Sequence, residues 1–239
     1  MSERLVIIPT YNELENVENI IRKVFALPAD FHILIVDDSS PDGTGFIVRE
    51  LQKEFPKLFL ETRIEKDGLG KAYTHGFKWA LDRSYQYIFE MDADLSHNPE
   101  DLPKLLQALE NGNDVSVGSR YSHGVNVVNW PMTRVLLSFI ASKYARFVTG
   151  LPVNDATAGF VGYKRIVLEK LDLNRIKFKG YGFQIEMKYK SWKKGFKIIE
   201  VPIIFTNRVA GESKISANIM GEAVFGILML RIRSIFGTL

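Results

Sequence analysis

Asp92 and Asp94 stand two residues apart, directly after the apolar run Tyr87–Met91. Carboxylates leaving the end of an apolar strand point together into a crevice. Their oxygens suit a hard divalent cation such as magnesium or manganese, which keeps open positions for phosphate oxygens. The same triplet, Asp92-Ala93-Asp94, also fits a solvated turn ahead of Pro99, with Asp94 or Asn98 as a helix cap. Further polar groups follow other apolar runs. Pro9-Thr10-Tyr11-Asn12-Glu13 closes the first, and also reads as a helix start with Thr10 capping and Glu13 at capping-box distance. Asp37, Asp38 and Asp42 follow the second. Carboxylates there accept from base N–H groups or ribose hydroxyls, although for Asp37 and Asp42 a solvated acidic turn is the simpler reading. The cations come later. Arg120 follows another short apolar run, Arg134 and Ser138 are four apart on one helical face, and Arg208 and Lys214 flank Gly211-Glu212-Ser213. Guanidinium groups and a hydroxyl are what a phosphate needs. Each of these cations also reads as a surface charge; convergence is the expectation.

The elements that must position these residues follow from periodicity. Leu5–Pro9, Ile33–Val36, Leu58–Thr62, Tyr87–Met91 and Val115–Gly118 read as strands. Between them lie helical patterns: Leu14, Val17, Ile20, Ile21, Val24 and Phe25; then Phe46–Phe55; Gly70–Leu81; and Leu102, Leu105, Leu106 and Leu109 after Asn98-Pro99. Apolar, non-alternating strands that alternate with helices predict an α/β fold, a mostly parallel sheet with helices on both faces. Ligands of such sheets bind beyond the carboxyl ends of the strands, where the residues above collect. Beyond residue 120 the pattern loosens. Met132–Val148 is predicted helical, with Met132, Val135, Leu136, Phe139, Ile140, Tyr144, Phe147 and Val148 on one face. Tyr181–Lys193 reads as a helix, Lys197–Phe205 as a strand and Ile215–Phe236 as a terminal helix. No linker divides the chain, so residues 1–239 are expected to form one domain. Its regularly alternating half covers about 1–120, and its looser half about 121–239.

Several function classes fall away. There is no cysteine, hence no disulfide framework, thiolate metal site or cysteine nucleophile. The net charge of +3 is too mild to argue for nucleic acid. The first strand ends without Gly-x-Gly-x-x-Gly, so the usual dinucleotide site is missing, and Gly68-Leu69-Gly70 is no Walker loop. The strongly apolar uncharged runs Val135–Ser142 and Ala223–Leu230 each have eight residues, against roughly 20 for a membrane-spanning helix.

Taken together, the motifs resemble those of the dolichyl-phosphate (polyprenyl-phosphate) mannose synthases, within the large inverting glycosyltransferase family 2. The matching stretches run in order over nearly the whole chain: Pro9–Glu13, Val36–Gly43, Gly68–Ala72, Met91–His97, Gly118–Tyr121, Trp130-Pro131 with Arg134, Gly180–Glu186 and Arg208–Lys214. The resemblance implies a nucleotide-binding glycosyltransferase fold of the A type, GDP-mannose as donor, a polyprenyl phosphate in the membrane as acceptor, and a magnesium or manganese ion. It implies that Pro9, Tyr11, Glu13, Val36 and Asp38 line the nucleotide pocket and that Asp92 and Ala93 contact the nucleotide. Asp94 would bind the metal. Arg120, Arg208 and Lys214 would hold phosphates, with Arg120, Arg134 and Ser138 at the acceptor phosphate. Asp94, Arg120 and Arg134 would be catalytic. Where some relatives carry a metal-holding glutamine, this sequence has Ser96, a shorter and weaker ligand whose gap water can fill. The resemblance also implies peripheral attachment to the cytoplasmic face of a membrane, directly or through a small membrane subunit. The terminal segment Ala217–Leu239 and the Met132–Val148 helix are the candidate contacts.

The implied reaction needs no general base, because a phosphate monoester is already largely anionic at pH 7, its second pKa being about 6. Three rivals remain: transfer of glucose or another hexose to the same acceptor, for example from UDP-glucose; transfer to a glycan hydroxyl, with Glu186 or Asp155 as base; and a nucleotide-sugar-binding subunit without activity.

Overall fold

The computed structural model describes residues 3–180, 182–207 and 217–237. In chain order the elements are β1 (Arg4–Thr10), α1 (Val17–Phe25), β2 (His32–Asp37), α2 (Thr44–Leu51), β3 (Leu58–Thr62), α3 (Leu69–Leu81), β4 (Tyr87–Glu90), α4 (Leu102–Glu110) and β5 (Val115–Ser119). There follow β6 (Val127–Val128), α5 (Met132–Thr149), β7 (Val161–Lys164), α6 (Arg165–Lys170), α7 (Gly182–Lys193), β8 (Ile198–Pro202), β9 (Phe205–Thr206) and α8 (Ala217–Ile235).

Seven strands form one sheet in the order β3-β2-β1-β4-β7-β5-β8, and β6 pairs with β9 apart from it. All pairings in the large sheet are parallel except the two made by β7, which runs antiparallel between β4 and β5. The mostly parallel sheet is as expected. Its apolar runs do not alternate because both faces are covered. On β1, Leu5 and Ile7 enter a core shared with α3 and α7, while Val6 and Ile8 enter the opposite core with α1 and α4.

The differences from the expected elements have local causes. Leu14 is exposed and α1 starts three residues later, because Glu13 N and Leu14 N donate to Thr44 Oγ1 and Asp42 Oδ2 rather than continuing a helix. Thr10 does not cap; its hydroxyl donates to Asp37. Helix α2 ends at Leu51, and turns beyond it bring Phe55 to stack on Phe25 at 4.5 Å. The expected Lys197–Phe205 strand divides after Pro202, with Ile203 N donating to Ser119 O. Strand β7 was not anticipated. It has four residues, and Gly162 leaves room on either side: a Cβ there would lie 2.6 Å from Phe89 and 2.7 Å from Ser116.

Helix α5 has the expected extent but not the ordinary burial. Its buried residues are Ser142, Ala145 and Thr149, while Met132, Leu136, Leu137, Ile140 and Phe147 face outward. It packs on α8, where the Tyr144 hydroxyl donates to Val224 O at 3.0 Å. Among the described residues no helix is long and apolar enough to cross a membrane.

Candidate active site

The carboxyl ends of β1, β2 and β4 lie side by side, so the loops that leave them share one rim. Four non-glycine residues of the described chain have φ in the left-handed region: Asn12, Ser39, Leu95 and Asn129. The first three sit in these loops, and the fourth precedes Trp130. Such backbone costs on the order of 1 kcal/mol or more per residue, and it concentrates where loops are shaped for a ligand.

The β1 and β2 loops are tied together. Asp37, 2% exposed, accepts from Thr10 Oγ1 at 2.8 Å and from Ser40 N and Oγ at 3.0 and 2.5 Å. Asp42 accepts from Leu14 N, Thr44 N and Thr44 Oγ1. Both carboxylates thus build the loops, and Asp37 is buried rather than solvated. Asp38 is also buried, its Oδ1 3.3 Å from Arg63 Nε, and burial pushes its carboxyl up despite that cation. Val36 is buried beneath, Pro9 and Glu13 are half-buried, and the Lys66 ammonium lies 4.0 Å over the Tyr11 ring. These residues therefore lie together on the β1 and β2 loops, where the nucleotide pocket is expected, and Arg63 joins them.

At the end of β4 the two carboxylates separate in character. Asp92 is about one-third exposed, and the Tyr73 hydroxyl donates to it at 3.4 Å. Ala93 is buried. Asp94 is buried and accepts from Ser96 N at 3.1 Å. His97 is enclosed by Phe160, stacked at 4.9 Å, and Phe205, edge-on at 5.2 Å. Its Nδ1 accepts from Asp92 N at 3.2 Å, and burial lowers its pKa to about 4, so the ring is a neutral brace under the carboxylates.

A divalent cation fits this end of the site. The donors are oxygens, and the Ser96 hydroxyl is buried with no hydrogen-bond partner beside Asp94. Among the described residues no three carboxylates or imidazoles gather into a closed cage, so further ligands would have to come from substrate and water.

The cationic end is built on β5. Arg120 is 8% exposed and Asp155 is fully buried. Arg120 Nε and Nη2 donate to Asp155 at 2.7 and 2.6 Å, its backbone N at 3.0 Å, and Nη2 also reaches Thr157 Oγ1 at 2.8 Å. Burial raises the Asp155 pKa, but Arg120 outweighs it and holds the carboxyl below its ordinary value. Glu200 on β8 fixes the assembly by accepting from Asn154 N and Nδ2, Asp155 N and Ser119 Oγ. Arg134 on α5 stacks 4.0 Å over Trp130 and donates to Asn207 at 2.9 Å. Ser138 is half-buried one turn along, and Ser142 a further turn along lies 3.2 Å from Thr157. Phe205 joins the two ends: it touches His97, Trp130 and, at 5.5 Å, Arg120, while Thr206 N donates to Ser96 O.

Asp94, Ser96, Arg120, Arg134 and Ser138 are thus brought to one rim, whereas Arg208 and Lys214 lie outside the described residues. Neither carboxylate considered as a base stands ready for that task. Asp155 holds Arg120, and Glu186 pairs with Lys190 at 2.8 Å while accepting from Lys177 N and Phe178 N. Trp130 stands in a stretch that the resemblance singles out, and Phe205 could have been suspected from its aromatic type. Glu200, Asn207 and the Asp155–Arg120 pairing carry no local sequence signal.

Known proteins are similar to this chain in sequence and in fold. The family described as Glycosyl transferase family 2 matches residues 5–172 of the chain. Polyprenol monophosphomannose synthase from Mycolicibacterium smegmatis is 47% identical over 96% of this chain and 87% of its own. Undecaprenyl-phosphate mannosyltransferase from Micrococcus luteus is 44% identical over 93% of this chain and 91% of its own. A mannosyltransferase from Pyrobaculum calidifontis, solved in complex with GDP-Man and Mn2+, superposes with a TM-score of 0.61 at 15% identity, covering 99% of this chain and 72% of that one.

Proposed function

The chain belongs to glycosyl transferase family 2 and has the A-type fold of its structural neighbours, and on that premise we propose that it transfers mannose from GDP-mannose to a polyprenyl phosphate, with inversion, giving polyprenyl-phosphate mannose and GDP. The observation that carries this reading is that Asp155 and Glu186 are both engaged in buried ion pairs. A sugar hydroxyl as acceptor would need a general base, and these two candidates are already committed to cations. A phosphate monoester requires none, because its second pKa of about 6 leaves it largely dianionic at pH 7.

The nucleotide lies on the β1 and β2 loops, against Pro9, Tyr11, Glu13, Val36 and Asp38, with Asp92 and Ala93 at its inner side. Asp94, with the Ser96 hydroxyl, would hold a magnesium or manganese ion; either suits oxygen donors. When bound, the ion acts as a Lewis acid that offsets charge on the departing diphosphate. Arg134, kept flat by Trp130 and Asn207, and Ser138 orient the acceptor phosphate. One of its oxygens forms a bond to the anomeric carbon as the bond to the diphosphate oxygen breaks on the opposite face. Arg120, fixed by Asp155, supplies a permanent cation behind them, and Arg208 and Lys214 complete the phosphate contacts. Both halves of the chain act as one unit in this reading.

The acceptor also explains the outward apolar face of α5. Together with Val224, Phe225, Leu228 and Ile232 on α8, and with Lys143 and Arg231 nearby, it forms a surface that rests in the membrane interface on the cytoplasmic side. The chain thereby meets its lipid from the membrane surface.

The test incubates purified protein with radiolabelled GDP-mannose, a polyprenyl phosphate in detergent and manganese, and counts label extracted into organic solvent. EDTA should abolish the signal. Label only from UDP-glucose would replace the sugar, and label only on a glycan acceptor would overturn the assignment.

A further inference from the structure

Beneath the site lies a charged cluster that the mechanism leaves unused. Glu90, the last residue of β4, and Lys188 on α7 are both fully buried. Burial raises the carboxyl's pKa and lowers the ammonium's. The two do not meet directly. The Gln184 amide stands between them, its Nε2 donating to Glu90 Oε2 and its Oε1 accepting from Lys188 Nζ at 3.4 Å. Lys188 Nζ also donates to Gln184 O at 3.1 Å and to Ala158 O at 2.6 Å.

The three anchor points belong to three parts of the site. Glu90 is two residues ahead of Asp92 on the strand that delivers both carboxylates. Ala158 closes the turn begun by Asp155, its N donating to Asp155 O at 3.3 Å, and Asp155 holds Arg120. Gly159 lies between Gln184 and His97; a Cβ there would sit 3.8 Å from each. One face of α7 therefore spans from the carboxylate end to the cationic end. Buried ions of this kind are poor stabilisers, since well-packed apolar residues usually serve as well or better. Their geometry, however, fixes separations that apolar packing leaves adjustable.

We propose that Glu90, Gln184 and Lys188 form a positioning network that sets the spacing between Asp92–Asp94, at the departing diphosphate, and the Arg120–Asp155 pair, at the acceptor phosphate. This rests on the transfer reaction proposed above. None of the three touches substrate. They act through the two loops they tie together, so their loss lowers turnover without loosening the nucleotide.

The experiment compares the unaltered protein with the Glu90→Gln/Lys188→Met double variant, which removes both charges together and strands neither. Hydrogen–deuterium exchange is followed over residues 92–98 and 154–160, alongside the melting temperature, kcat and KM. The double variant is expected to melt within a few degrees of the parent and to exchange about tenfold faster in both segments. Its kcat should fall roughly 10- to 100-fold, with KM for the nucleotide sugar inside about threefold. A folded double variant with parental exchange and parental kcat overturns the proposal. If that variant does not fold, Gln184→Met removes the relay alone, and the same two outcomes decide. The exchange measurement needs no turnover, so an unaltered protein that makes no product counts against the transfer reaction while the network stays testable.

Discussion

Asp94 and Asp42 are both carboxylates at the ends of strands, yet their hydrogen bonds assign them different work. Asp42 is saturated by Leu14 and Thr44 and shapes a loop, whereas Asp94 lies beside the orphaned Ser96 hydroxyl, the place proposed for the cation. Asp94→Asn should cost roughly 10²–10³-fold in kcat, with Asp42→Asn acting mainly on stability; label counts and melting curves of the pair would decide. Asp155 yields a pH prediction. Its folded carboxyl titrates below the ordinary 3.8, so as pH falls the unfolded chain takes up the proton first. The stability it contributes is complete above about pH 4 and is lost as pH drops through the folded value. Asp155→Asn should therefore destabilise by about 3–5 kcal/mol at pH 7, leaving Arg120 buried without its counter-charge. The gap to the parent should narrow below pH 4, which denaturant titrations at pH 7 and pH 3 would show. Asp92 and Asp94 were legible in the sequence because they adjoin each other and an apolar strand. Asp155 was legible only as a carboxylate and a rival reading's candidate base; its pairing with Arg120, 35 positions away, has no local mark.

Among the elements, α5 divides its apolar residues: Tyr144 and Val148 pack on the core, while Met132, Leu136, Ile140 and Phe147 face out. Its periodicity announced a helix correctly, but periodicity cannot say which way the apolar face points. The answer depends on what the helix meets: polar Thr157 and Arg120 lie under it, so Ser142 turns inward and Leu137 and Ile140 turn out. Leu137→Asp with Ile140→Asp, at positions 56% and 59% exposed, should leave melting within about 2 °C of the parent. The same change should weaken sedimentation with anionic vesicles at least about tenfold. Vesicle binding that survives these two charges would remove α5 from the membrane contact. Strand β7 was missed for a different reason. Four residues, one of them glycine, give no period to count, and its place is dictated by neighbours that need a partner on both edges.

Across the whole molecule, the parallel sheet was readable from the first 120 residues, but its order was not. The strands β1 to β5 look like a complete nucleotide-binding half, yet β4 and β5 are not neighbours. A fragment of residues 1–150 should accordingly show no cooperative melt by circular dichroism, whereas the full chain should; a cooperative transition in the fragment would mean that β4 and β5 can pair directly. The insertion of β7 also places a demand on biosynthesis. After β5 leaves the ribosome, some 40 residues must follow before the strand that joins it to β4 arrives. At ordinary translation rates that interval is on the order of a few seconds. For that time the nascent chain carries three edges without their final partners, one on β4 and both of β5, each a template for a neighbouring polypeptide. A chaperone able to cover them during that interval should raise the yield of folded chain, which expression with and without it would show.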